Sequence, residues 1–204
     1  MQIRIVIVII GFFLILEILA SFFVYFDEGK VVNVKELFLN IPEDFPSNFY
    51  ILVLKAKNPH FYDFFYHLIL GDLYSYSQVS KYKLVKFEGF NVKDEVQFYG
   101  RSEMLCLILA FWAYEKGLKF SDNLKIGVIG DVSKEGEVLS VAGASIKYSI
   151  ALENDINILI APIQNKKEIK NFDNKSLYCL FVRHVEDAKK NLLKFVSPKV
   201  VNVK

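Results

Sequence analysis

The chain has 204 residues, of which 53% are hydrophobic and 24% are charged, and its formal net charge is +2. This apolar fraction is enough to build one sizeable core, which excludes an intrinsically disordered chain. The near-neutral charge, without a dense run of Lys or Arg, argues against a nucleic-acid-binding protein.

The N-terminal segment from Ile5 to Phe26 is apolar at all but three positions. As a helix it would be about 33 Å long, enough to span a bilayer core, and it lacks the small-residue cleavage site of a signal peptide. We therefore predict one transmembrane helix within residues 1–28. Arg4 precedes it and Asp27 and Glu28 follow it, so the positive-inside rule favours a single-pass protein whose folded domain lies on the extracytoplasmic side.

The remaining residues, 31–204, predict one domain in which strands alternate with helices. The predicted fold class is α/β to α+β, with a mixed sheet, packed helices and parallel pairing in the second half. The predicted elements are, in chain order, extended segments Val31–Val34 and Glu36–Leu39, a strand Phe49–Leu54, a buried helix Ser102–Lys116, strands Lys125–Gly130 and Glu137–Val141, a helix Gly143–Asn154, a strand Ile156–Ala161, a loop and short helix Pro162–Lys170, a strand Leu177–Val182 and an amphipathic helix Val185–Phe195.

Lys147 lies on the apolar side of its predicted helix. Its neighbours three and four positions away are Gly143, Ala144, Ile150 and Ala151, none of which is polar. Burial lowers the pKa of a lysine, and a lysine near neutrality can accept the proton of a serine hydroxyl. The alternative is a lysine that extends from the helix edge into solvent.

Ser102 begins the predicted buried helix and follows Gly100 by two positions. The free N–H groups of a helix start can stabilise a developing oxyanion, although a serine at this position is also an ordinary helix cap.

An ordered series of motifs from Tyr99 to Lys170 resembles the proteolytic domain of the Lon family. The segment Gly100-Arg101-Ser102-Glu103-Met104 is similar to the Gly-Pro-Ser-Ala-Gly that surrounds the family's nucleophile. The segment Ile129-Gly130-Asp131 is similar to its Thr-Gly-Glu. Gly136-Glu137-Val138-Leu139, followed by Ala142-Gly143, resembles its Gly-x-Val-x-x-x-Gly-Gly.

Two later matches complete the series. Lys147 falls on the position of the family's catalytic lysine. The segments Ile158-Leu159-Ile160-Ala161-Pro162 and Asn165-Lys166 resemble its Val-Leu-Ile-Pro and Asn-Lys block.

The resemblance implies a serine endopeptidase, a hydrolase of protein or peptide substrates, with Ser102 as nucleophile and Lys147 as general base. It implies no metal or cofactor, and we interpret His60, His67 and His184 as structural or surface residues. No phosphate-binding loop of the Gly-x-x-x-x-Gly-Lys-Ser/Thr type occurs in the chain, so an ATPase would be a separate partner. The resemblance also suggests a homo-oligomer.

The chain departs from the family pattern around both residues. Arg101, Glu103 and Met104 differ from the family's residues beside the nucleophile, and Ile129 stands where a threonine often contacts the lysine. Glu103 could pair with Lys147 and keep it charged, which would suppress its function as a base. The alternative function is therefore a catalytically inactive Lon-like domain that serves as a membrane-tethered binding or assembly module.

Overall fold

A five-stranded mixed sheet forms the centre of the molecule. The computed structural model describes residues 25–57, 102–170 and 176–197, together with positions 11, 12 and 15. The sheet strands are, in chain order, β1 (Tyr25–Asn33), β2 (Phe49–Lys57), β3 (Ile126–Val128), β6 (Ile158–Pro162) and β7 (Tyr178–Val182), while β4 (Asp131–Val132) and β5 (Val138–Leu139) form a separate hairpin.

The order across the sheet is β1-β2-β3-β6-β7. β1 pairs antiparallel with β2, whereas β2, β3, β6 and β7 run parallel to one another. Parallel neighbours need crossover connections, and helices supply them here. In the chain, α1 (Met104–Glu115) lies between β2 and β3, α2 (Ala144–Glu153) between β3 and β6, and α3 (Lys166–Lys170) between β6 and β7, whereas α4 (Val185–Leu192) follows β7. Turns of 3-10 helix occur at Val34–Leu37, Ile163–Asn165 and Leu193–Phe195.

Both faces of the sheet are covered, which explains why its strands are apolar on both sides. In β2, Phe49 and Ile51 belong to one core cluster, while Leu52 belongs to the other. All five residues of β6 are buried. The period of two along each strand thus divides the side chains between two cores.

Two helices lie on opposite faces of the sheet: α1, which begins two residues after Ser102, and α2, which contains Lys147. α1 packs against β2, β3 and α4, and nine of its twelve residues are buried. α2 packs against β1, β2 and α3, and Tyr148 and Ala151 are part of the second core cluster. A helix apolar on nearly every side, as α1 is, must have packing partners all round it.

The structure confirms the mixed sheet with packed helices and the parallel pairing in its second half. Most predicted boundaries shift by a few residues: the helix predicted from 102 begins at Met104, and the strand predicted for 125–130 is Ile126–Val128. Three further differences change the type or length of an element. Residues 36 and 37 lie in a 3-10 turn, where Asn33 Oδ1 accepts the backbone N–H of Lys35 and ends β1. The strand predicted for 137–141 is only Val138–Leu139, and the terminal α-helix ends at Leu192.

The predicted transmembrane segment falls almost entirely outside the described residues. The sheet begins at Tyr25, so the last residues of the 1–28 range form part of β1. Within the described part of the chain, none of the helices has the length and apolar character needed to cross a bilayer.

Candidate functional site

Ser102 and Lys147 meet at the carboxyl end of β3. Lys147 Nζ donates a hydrogen bond of 2.7 Å to Ser102 Oγ, although the two residues are 45 positions apart in the chain. Ser102 lies two residues before α1, and Lys147 lies in the first turns of α2. The two helices cover opposite faces of the sheet, and the pair forms where both helices begin, beyond the carboxyl end of the central strand.

Gly130 fixes the backbone of Ser102 from the loop that follows β3. Its N–H donates to Ser102 O at 2.9 Å, and its carbonyl accepts the N–H of Leu105 at 3.1 Å. Gly130 has a φ of +152°, and a Cβ atom there would lie 3.1 Å from both Leu105 Cδ2 and Val138 Cγ1. Glycine is therefore required for this close approach. The start of α1 is thereby attached to the central strand.

Burial gives Lys147 the character of a base. Only 3% of the residue is exposed, and this loss of water lowers its pKa from 10.5 to about 8. The nearby charge of Glu103 acts in the opposite direction and raises that pKa, but its effect is smaller than that of burial. Glu103 is itself 3% exposed. Glu103 therefore offsets only part of the lowering of the Lys147 pKa, and its expected suppression of base function is partial.

A polar network that no motif in the sequence marks holds the start of α2. Glu168 Oε1 accepts the backbone N–H of Ser145 at 2.9 Å and its hydroxyl at 3.0 Å. The N-cap residue of α2, Gly143, has no side chain to provide this cap. A carboxylate at the positive end of a helix is favourable, so Glu168 caps α2 from a distant part of the chain.

Asn165 joins this network to the loop before α2. It accepts the Val141 N–H at 3.0 Å and donates to Val141 O at 2.9 Å, and it also donates to Glu168 Oε2 at 3.2 Å. Asn165 is only 6% exposed, so each of these hydrogen bonds replaces one to water. The network sets the position of α2, and hence of Lys147, relative to the end of β6.

Replacing Asn165 with Ala is expected to lower the free energy of unfolding by about 1–2 kcal/mol, because the partly buried Val141 N–H and C=O would lose their partners. Urea denaturation of the two proteins measures this difference. The exposed Lys167→Ala, two positions away, is the control and should change the value by no more than about 0.5 kcal/mol. An Asn165→Ala protein as stable as that control would show that the network adds nothing to stability.

Two other nucleophilic or ligating side chains of the described ranges, Cys106 and His184, lie outside the site. Cys106 is fully buried, and burial, followed by the charge of Glu103, raises the pKa of its thiol well above the ordinary value. His184 caps α4, since its Nδ1 accepts the Glu186 N–H and its Nε2 contacts Glu135 O at 2.9 Å. These contacts agree with its interpretation as a structural or surface residue. His60 and His67 lie outside the described residues, among which no cluster of metal-ligating side chains occurs.

Ile129, which stands where the Lon family often has a threonine, is fully buried in the second core cluster. It supplies packing where the resemblance would place a hydroxyl. In comparisons with known proteins, no protein-family model matches this chain and no curated protein is significantly similar to it.

Proposed function

We propose that this protein is a serine endopeptidase that hydrolyses peptide bonds with a Ser102–Lys147 dyad. The observation that carries the proposal is the 2.7 Å contact between a serine hydroxyl and a buried lysine whose pKa is about 8. A lysine with this pKa is neutral in about one tenth of molecules at pH 7, against fewer than about one in a thousand for an unperturbed lysine. Serine becomes a nucleophile when such a base is within hydrogen-bond distance.

The reaction follows from the two atoms in contact. Neutral Lys147 Nζ takes the Ser102 Oγ proton as Oγ bonds to the scissile carbonyl carbon. The C–N bond then breaks, and Lys147 returns that proton to the leaving amine, which leaves an acyl group on Ser102. Water attacks this ester and gives its proton to Lys147. Lys147 finally protonates Ser102 Oγ as the acid product leaves.

The first turn of α1 supports the same assignment. The helix begins directly after the Ser102–Glu103 turn, and its N-cap makes no side-chain capping hydrogen bond. N–H groups at a helix start are suited to stabilise the negative oxygen of a tetrahedral intermediate. The order of motifs that resembles the Lon proteolytic domain adds independent support, because its nucleophile and base fall on these same two residues.

The alternative function, an inactive Lon-like module, predicts that Lys147 lies far from Ser102 and is exposed to water. The observed distance and burial favour the peptidase. The feature that favours the inactive module is Glu103, whose charge keeps a larger fraction of Lys147 protonated.

Replacing Glu103 with Gln is therefore expected to lower the pKa of Lys147 below about 8, because the attraction between its ammonium and the carboxylate is removed. The acid limb of the rate of peptide hydrolysis should move to lower pH by the same amount. Rates measured across pH 5–10, roughly the span around this pKa, would show the shift. The exposed Glu115→Gln at the other end of α1 should leave the profile unchanged, and a profile unchanged by both substitutions would exclude the effect of Glu103.

The membrane attachment and the partners belong to the same proposal. The apolar N-terminal stretch would anchor the peptidase in a bilayer, with the folded domain on the extracytoplasmic side. Substrates would be unfolded polypeptides, or proteins unfolded by a separate ATPase. A homo-oligomer, as the family resemblance suggests, would enclose the sites.

The test is cleavage of an unfolded protein by the full chain in detergent, followed through the new amino termini. The double variant Ser102→Ala/Lys147→Met is the control for contaminating proteases. Cleavage that this variant lacks supports the peptidase. A folded native chain that forms no more new termini than the variant, with or without detergent, would favour the inactive module.

A further inference from the structure

A groove of about 430 Å³ opens beside β7, which is the last strand of the sheet in the described part of the chain. The end of β7 and the outer side of α4 form most of its wall. Its charged side chains are Arg183, Asp187, Lys190 and Lys194, and Ile163 and Phe181 contribute apolar atoms.

The groove has an excess of positive charge. Three cations face one carboxylate, and within the described ranges none of the three takes part in a salt bridge. Lys194 Nζ donates to the neutral Asn191 Oδ1 at 2.8 Å, which leaves its charge uncompensated. Outside the groove's lining, Lys166 Nζ lies 5.7 Å from the centre of the Phe181 ring. Since the whole chain carries only +2, the excess in the groove is a local concentration of charge.

One end of the groove lies at the same end of the sheet as the dyad, whereas Lys194 lies nearer the opposite end, since the adjacent Phe195 contacts Tyr178 at the start of β7. Ile163 follows β6 and Arg183 follows β7, just as Gly130 follows β3, and these strands are parallel. The hairpin β4–β5 connects the two places, because it continues from Gly130 and Val138 N–H donates to Arg183 O at 2.8 Å. Neighbouring strands are about 4.8 Å apart, so the end of β7 lies about 10 Å from that of β3.

We propose that this groove binds an acidic, extended stretch of the polypeptide substrate, next to the bond that Ser102 attacks. Among the described residues β7 pairs with β6 alone, and the second side of such a strand is the kind of backbone that an extended peptide pairs with. The cations select carboxylates, and the apolar atoms pack against the stems of the bound side chains. That the bound peptide is a substrate rests on the proposed peptidase activity, whereas the binding of an acidic peptide by the groove does not.

The test uses the full chain with Ser102→Ala, so that peptides bind without being cleaved. The probes are a fluorescent peptide with a central run of glutamates and a matched peptide with glutamines. We expect the glutamate peptide to bind on the order of tenfold more tightly, with an affinity that falls as salt rises. Adding Lys190→Glu and Lys194→Glu should remove this preference. The control is Lys116→Glu with Lys119→Glu, the same charge change on exposed residues beyond the far end of α1, which should keep it.

Equal binding of the two peptides, or an equal loss in both charge-reversal variants, would overturn the docking site. So would a groove that binds anionic phospholipid vesicles in preference to the glutamate peptide. Selective peptide binding by a chain whose native form cleaves nothing would preserve the docking site and reject the peptidase. Cleavage with no preference for acidic sequences would support the peptidase and reject the docking site.

Discussion

Replacing Ser102 with Ala is expected to lower the rate of peptide hydrolysis by at least about 10³-fold while leaving the fold intact. The substitution removes the one oxygen that lies 2.7 Å from Lys147 Nζ, and alanine offers no atom that could form the acyl intermediate. The Gly130 contacts that hold this segment involve only backbone atoms, so they survive the change. Release of amino termini from an unfolded protein, with circular dichroism of both chains, measures the two quantities.

The matched control for this experiment is Ser149→Ala. Ser149 lies on α2 half a turn beyond Lys147, and its hydroxyl donates to Ser145 O at 3.4 Å. The same chemical change beside the site should alter the rate by no more than about twofold. Hydrolysis by Ser102→Ala at the rate of this control would show that another group attacks the peptide bond.

Replacing Lys147 with Met is expected to abolish hydrolysis to a similar extent and to remove its dependence on pH. In the native chain the rate should rise about tenfold for each pH unit below the lysine's pKa and level off above about 8, because only the neutral amine accepts the serine proton. The variant Lys147→Arg keeps the positive charge but cannot become neutral near this pH, so it should be equally inactive. An arginine variant that retains the native profile would exclude Lys147 as the base.

The same pKa makes stability depend on pH in a defined direction. The unfolded chain binds the lysine proton up to about pH 10.5, whereas the folded chain releases it at about 8. The free energy of unfolding therefore rises with pH between these values, by up to about 3 kcal/mol, relative to the Lys147→Met protein. Denaturation of both proteins at several pH values isolates this residue, since all other titrating groups are common to them. Parallel curves would mean that burial does not perturb Lys147.

Local patterns in the sequence were sufficient to predict most of the elements that build the site. The strand at Phe49, the buried helix before Gly117 and the helix that bears Lys147 all occur where they were predicted. Hydrophobic period and terminal glycines determine such elements because they act through residues only a few positions apart. The apolar neighbours of Lys147 likewise predicted its burial, which the structure confirms.

The sequence did not predict what holds those elements together. Glu168 caps α2 at Ser145 across 23 positions, and no local pattern marks a carboxylate as the cap of another helix. The basic groove was not predictable from local patterns either, since Arg183 and Lys194 line one groove only when α4 folds back beside β7.

The sequence by itself thus determined the order of strands and helices and which face of α2 turns inward. The tertiary structure alone decided that Lys147 Nζ lies 2.7 Å from Ser102 Oγ and that burial there outweighs the charge of Glu103. The physical reason is the distance along the chain over which each interaction acts. Periodicity and capping act over one or two turns of chain, whereas desolvation and contact between distant residues depend on how the layers pack against each other.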